Sequence, residues 1–172
     1  MSDLDELNRS PADRLRPRLL ALTAAPDWAD ALLVRRPYPD LHALLATSDE
    51  LVAGLSESQI DAALAGHPRI GERAAGLDAD SAARSAREQS GMAGADVSVQ
   101  EAIAQGNADY EERFGRIYLV AAAGRSAEDL LGYLHERLGN DAGVELDVVR
   151  GELARITRLR LTELVGQTEA RR

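Results

Sequence analysis

The chain has 172 residues, 45% apolar and 28% charged, and a chain of this length can bury roughly 70% of its unfolded surface. Its net charge is −9, from 20 basic against 29 acidic residues, which argues against a phosphate backbone as partner. Cysteine and lysine are both absent, which excludes disulfides, thiolate catalysis, a lysine Schiff base and a P-loop lysine.

The aromatic residues are few: Trp28, Tyr38, Tyr110, Phe114, Tyr118 and Tyr133. The core must therefore be built mostly from leucine, alanine, valine and isoleucine. The richness in alanine and leucine points to an all-α fold. The start, Met1-Ser2-Asp3-Leu4-Asp5, is acidic and lacks the layout of a signal peptide. With no apolar run long enough to span a bilayer, a cytoplasmic location is expected.

In chain order, Ser10-Pro11-Ala12-Asp13 reads as a helix start capped by Ser10, with Leu15, Leu19 and Leu22 on one face. Pro26 opens a helix carrying Trp28, Leu32 and Leu33, and the chain turns at Pro37. A helix through Leu41, Leu44 and Leu45 reaches about Leu51. Ser56-Glu57-Ser58-Gln59 is a capping box for a short helix that Gly66 ends. Residues 67–80 form the longest interruption. Asp80 or Ser81 then caps a helix through Ser85, Glu88 and Gln89, broken by Gly91 and Gly94. The apolar spacing predicts a long helix over about 99–123, ended by Gly124. Ser126-Ala127-Glu128-Asp129 caps the next helix, which Gly139 stops, and the last runs over about 141–165. Tyr118-Leu119-Val120 is the one β-leaning run, set inside a helical pattern. The expectation is one domain over residues 1–172, a bundle of roughly eight helices.

Three histidines are candidates for acid–base work. His42 and His135 sit on ordinary helical patterns, and neither has a histidine four residues on, so a metal-binding helix motif is absent. His67 follows a helix-ending glycine and precedes Pro68, which pushes it into extended backbone and projects its ring from the helix end. The competing reading is a histidine that merely caps the preceding helix. Ser85, Glu88 and Gln89 are spaced to share a helix face presenting a hydroxyl, a carboxylate and an amide. That face suits a small substrate rich in N–H and C=O groups, or is simply solvated between Arg84 and Arg87. Arg155 and Arg158 are read as facing solvent. Arg160 falls on the apolar stripe of the last helix, where a guanidinium needs an internal carboxylate or an anionic ligand.

Four blocks together resemble the 2-oxo-4-hydroxy-4-carboxy-5-ureidoimidazoline (OHCU) decarboxylases of urate degradation. They are Gly66-His67-Pro68-Arg69-Ile70-Gly71-Glu72; Ser85-Ala86-Arg87-Glu88-Gln89-Ser90-Gly91-Met92; Asn107-Ala108-Asp109-Tyr110-Glu111-Glu112-Arg113-Phe114-Gly115, running on to Ala123-Gly124-Arg125-Ser126; and Arg137-Leu138-Gly139-Asn140, followed by Glu152, Ile156 and Arg158-Leu159-Arg160-Leu161. Each block is weak alone, but the ordered set is specific.

The resemblance implies an all-helical bundle and a carboxy-lyase that turns OHCU into (S)-allantoin and carbon dioxide without a cofactor or a metal. It implies His67 as the catalytic histidine and Glu88 as its carboxylate partner. It implies substrate contacts at Pro68, Ser85, Gln89 and Arg160. It further implies backbone contacts from Ala121, Ala122, Ala123, Gly124 and Arg125. The expected partner is the small-molecule substrate, with no nucleic acid and no membrane, and with a homodimer as the candidate assembly. Two other readings stay open: a non-catalytic helical interaction module, and an enzyme acting on a related ureide. The first requires His67, Ser85 and Glu88 to lie far apart in solvent.

Overall fold

The computed structural model describes residues 3–72, 76 and 78–166, with the side chain of Asp3 excepted. Part of the acidic start and part of the long interruption therefore lie outside the described residues. Among those described, the chain forms nine α-helices and no strand. They are α1 (Asp3–Arg9), α2 (Ala12–Leu20), α3 (Pro26–Val34), α4 (Leu41–Ala53), α5 (Glu57–Leu64), α6 (Ala79–Glu88), α7 (Val97–Phe114), α8 (Ala127–Leu138) and α9 (Ala142–Gly166), with a 3-10 turn at Ser90–Met92. None of these helices is long and apolar enough to cross a membrane.

The helices form two compact units. One contains the chain through Ala63 together with α9 from Leu153 onward, and the other runs from Leu64 to Glu152. In the first, Leu15, Leu19, Trp28, Leu32, Leu44, Ile60, Leu153 and Leu161 are buried. Trp28 satisfies its indole N–H by donating to Ser48 Oγ at 3.0 Å. In the second, Ile70, Ile103, Tyr110, Tyr118, Val120, Ala122, Leu130 and Leu134 form the core, with Met92 and Phe114 packed against it.

Local chemistry explains where the elements begin and end, and it corrects several expectations. Ser10 does not cap α2. Its hydroxyl donates back to Glu6 O at 2.8 Å and closes α1, a helix the apolar spacing does not reveal. The Arg36 guanidinium donates to Leu7 O and Ser10 O at 2.9 and 2.7 Å, satisfying carbonyls that α1 leaves open at its end. The cap of α6 is Asp78, whose carboxylate accepts from the N–H groups of Asp80 and Ser81. Those hydrogen bonds, with Ser81 foremost, hold its pKa below the usual carboxylate value. The capping boxes at Ser56 and Ser126 form as expected.

The largest correction concerns the long helix. It stops at Phe114, and Gly115 takes a left-handed φ of 71° that accommodates the stop without a Cβ penalty. Tyr118, Leu119 and Val120 then run through the core outside any helix or strand, all three buried. The helical pattern gives way there without a strand replacing it, and the three side chains fill the core from irregular backbone.

Candidate active site

His67 lies where the sequence places it, just beyond the end of α5. Its backbone N–H donates to Leu64 O at 2.9 Å, and the residue is half-buried with its Nε2 shielded from solvent. Pro68 follows, fixing its own φ and restricting that of His67.

The turn after Pro68 is braced from three sides, all within the second unit. Glu72 N–H donates to Arg69 O at 3.1 Å and closes the turn. From α6, the Gln89 side chain accepts from Gly71 N–H at 3.0 Å and donates to Arg69 O at 3.3 Å. From α7, Asn107 Nδ2 donates to Ile70 O at 3.0 Å. Also from α7, Glu111 takes the Arg69 guanidinium through two hydrogen bonds, that from Nη2 to Oε2 measuring 3.0 Å. This hydrogen-bonded pairing lowers the Glu111 pKa and raises that of Arg69. Gly71 itself has a φ of 85°, a conformation that L side chains rarely adopt.

The α6 residues share the less exposed side of their helix. Ser85 is 5% exposed, Glu88 and Gln89 are half-buried, and Ala83, Ala86 and Arg87 face outward. This is not the solvated face of the competing reading. Glu88 is the last residue of α6, and Gln89 is its C-cap. A cavity of about 770 Å³ is lined by Ser85, Gln89, Met92 and Gln100 together with Gly71 and Glu72 of the turn. A smaller one of about 130 Å³ reaches Ile70 and Asn107. His67 and Glu88 line neither.

The stretch containing Ala121, Ala122, Ala123, Gly124 and Arg125 is irregular chain and turn in this same unit. Ala121 N–H donates to the buried Glu152 carboxylate at 2.7 Å. The Arg125 guanidinium stacks 4.3 Å over the Tyr133 ring. A Cβ built on Gly91, in the 3-10 turn, would lie 1.9 Å from Arg125 O, so only glycine permits this approach. The sequence marks Gly91 as a helix breaker, and the structure uses it for close contact between backbones.

Behind this stretch lies a buried ionic network that sequence reasoning missed. Arg137 pairs with Glu145 at 2.6 Å and donates to Leu119 O, also at 2.6 Å. Tyr110 donates its hydroxyl to Glu145, and Asn140 Nδ2 donates to the same carboxylate at 2.9 Å. Burial disfavours charge on Arg137, but the Glu145 hydrogen bond and nearby charges outweigh it and keep its pKa raised. Burial, then the Glu145 hydrogen bond, raises the Tyr110 pKa. Pairs spaced several residues apart across a helix end carry no short motif, which is why the spacing did not reveal them.

Arg160 belongs to the first unit. It is 6% exposed, as its place on the apolar stripe predicts, and it donates to Leu22 O at 2.8 Å. A backbone carbonyl was not among its expected partners. Arg155 is exposed as read, whereas Arg158 is half-buried and pairs with Asp49. His42 and His135 are exposed. Among the described residues, no group of three or more histidine, aspartate or glutamate side chains is arranged to hold a metal ion.

The all-helical fold of the described residues has solved counterparts. The chain matches a crystal structure of an OHCU decarboxylase in the presence of (S)-allantoin with a TM-score of 0.74 and 21% identity, covering 87% of this chain and 97% of that one. The sequence pattern of the OHCU decarboxylase family matches residues 8–162, and the chain belongs to that family. It is 32% identical to the mouse (Mus musculus) OHCU decarboxylase, over 84% of this chain and 79% of that protein. It is 29% identical to the OHCU decarboxylase of Amia calva, over 81% of each. A bifunctional uric acid degradation protein of Arabidopsis thaliana is 36% identical over 59% of this chain, and the match spans 32% of that longer protein.

Proposed function

We propose that the chain decarboxylates OHCU to (S)-allantoin and carbon dioxide, using its own side chains and no cofactor. The observation that carries this reading is the family match over residues 8–162, which takes in every residue assigned below. In the reaction, the carbon–carboxylate bond breaks and its electron pair moves toward the adjacent carbon–nitrogen unsaturation. The substrate hydroxyl becomes a ring carbonyl as it gives up its proton, and the neighbouring carbon takes a proton on one face.

His67 is assigned the proton exchange, because histidine titrates near neutrality and its backbone is held by Pro68 and the braced turn. Glu88 is assigned the role of orienting the imidazole and holding its tautomer. Ser85 is buried at the 770 Å³ cavity and is assigned to the ureido and ring amides, with Pro68 shaping the pocket. The Gln89 amide keeps one N–H and one lone pair beyond those that brace the turn, and these are assigned to the substrate. Ala121, Ala122, Ala123, Gly124 and Arg125 are assigned backbone contacts, and Arg160 a substrate anion. A cytoplasmic location and a homodimer complete the reading, and sedimentation would test the second.

The substrate also decays unaided to racemic product, so the enzyme must control stereochemistry as well as rate. A proton delivered from one fixed direction does this. The test generates OHCU in situ from urate and follows optical activity. Wild type should accumulate (S)-allantoin, and folded His67→Asn should leave only the racemic background. Full activity in His67→Asn would overturn the assignment.

A further inference from the structure

Helix α7 sets two side chains one turn apart against consecutive residues of the His67 turn. Asn107 holds Ile70 O, and Glu111 holds the Arg69 guanidinium by a two-point contact. Stability alone does not account for the pairing of both contacts with this one turn. The Arg69 and Glu111 side chains are 42% and 30% exposed, and ion pairs this open to water add little to folding. Asn107 is 5% exposed, and its Oδ1 is buried without a hydrogen-bond partner, an arrangement that costs stability.

What the two contacts share is their target. They fix the two residues that follow Pro68. Between Arg69 and His67 the chain has few soft torsions, since the proline ring fixes its own φ and narrows the choices of His67. A displacement at residue 69 or 70 is therefore passed to the imidazole instead of being absorbed. We infer that Glu111 and Asn107 are positioning residues for the decarboxylation, setting the direction of the His67 ring by holding Arg69 and Ile70 from α7. The inference rests on His67 being the proton-exchanging group.

The experiment compares wild type, His67→Asn, Glu111→Gln, Asn107→Leu, Arg69→Gln and the Arg69→Gln/Glu111→Gln pair on OHCU generated in situ. Glu111→Gln keeps the shape of the side chain and, because the ion pair is open to water, is expected to lower the urea midpoint only slightly and to leave the protein folded. Its kcat should fall on the order of 10- to 100-fold, as a displaced catalytic group predicts, with KM little changed. The enantiomeric excess of the allantoin should fall with it. The double variant should lose no more than either single one, because both remove the same contact. Asn107→Leu should reproduce the kcat and enantiomeric losses while folded. If His67→Asn is inactive while Glu111→Gln and Asn107→Leu keep wild-type kcat and enantiomeric excess, the inference falls and the assigned function stands. Losses that merely track the fraction of folded protein overturn it as well. If His67→Asn stays fully active, the catalytic assignment falls and takes the inference with it.

Discussion

Gln89 bridges the base of the His67 turn, accepting from Gly71 N–H at 3.0 Å and donating to Arg69 O at 3.3 Å with the same side chain. Replacement by methionine keeps the length and removes both contacts. Each is worth about 1 kcal/mol net, and Gly71 N–H would lose its acceptor, so Gln89→Met should destabilise the fold by about 1–3 kcal/mol. Urea unfolding checks that figure. Turnover should fall in protein that is still folded, through both the loosened turn and loss of the substrate contact proposed for Gln89.

Gly91 offers a sterically sharper test. A methyl group there would press into Arg125 O at 1.9 Å, and backbone cannot yield as a flexible side chain does. Gly91→Ala should cost about 1–3 kcal/mol, the usual range for forced overpacking, and should displace the stretch from Ala121 to Arg125. Amide chemical shifts of residues 121–126 would report the displacement. Unchanged shifts at wild-type stability would contradict the close approach.

The Arg137–Glu145 pair predicts a large thermodynamic effect. Glu145→Gln preserves shape but leaves a buried guanidinium uncompensated, and breaking such pairs costs about 3–5 kcal/mol. The paired replacement Arg137→Met/Glu145→Leu removes both charges and should recover much of the loss. Urea midpoints for the three proteins form the test.

Acid should act on the turn through Glu111. The Arg69 hydrogen bond lowers the Glu111 pKa in the folded protein. A lowered folded pKa gives stability that is present above the unfolded glutamate value, about 4.3, and is lost as pH falls through the folded one. Because the pair is partly exposed, the effect should not exceed about 1 kcal/mol. Wild type should therefore lose slightly more stability than Glu111→Gln between about pH 5 and pH 3, and parallel curves would refute this.

The sequence makes the helices legible wherever a cap and an apolar face coincide, as at Ser56 and Ser126. It fails where the deciding partner is distant. The carbonyls at the end of α1 are met by Arg36, which lies beyond both α2 and α3, and no local signal announces that. The helix ending at Phe114 was overextended because alanines beyond Gly115 continue a helical pattern that the core does not use. For the candidate site, the shared face of Ser85, Glu88 and Gln89 is readable from spacing and the turn at His67 from Gly66 and Pro68, whereas their assignment to a site enters only through the family resemblance. The bracing by Asn107 and Glu111 is not, since hydrogen bonds across 37 and 42 residues leave no periodicity.

The irregular stretch after Gly115 lies outside the helical ladder, so its peptide groups need other partners. Leu119 O finds Arg137, and Ala121 N–H finds Glu152. Residues 121–123 are already alanine, so truncating side chains there would remove almost nothing and reveal nothing. At residues 121–123 the polar chemistry resides in the amides and is inherited through the path of the chain, not through residue identities. A change to the peptide group itself, such as an ester linkage or a proline at position 121, would expose what those amides do.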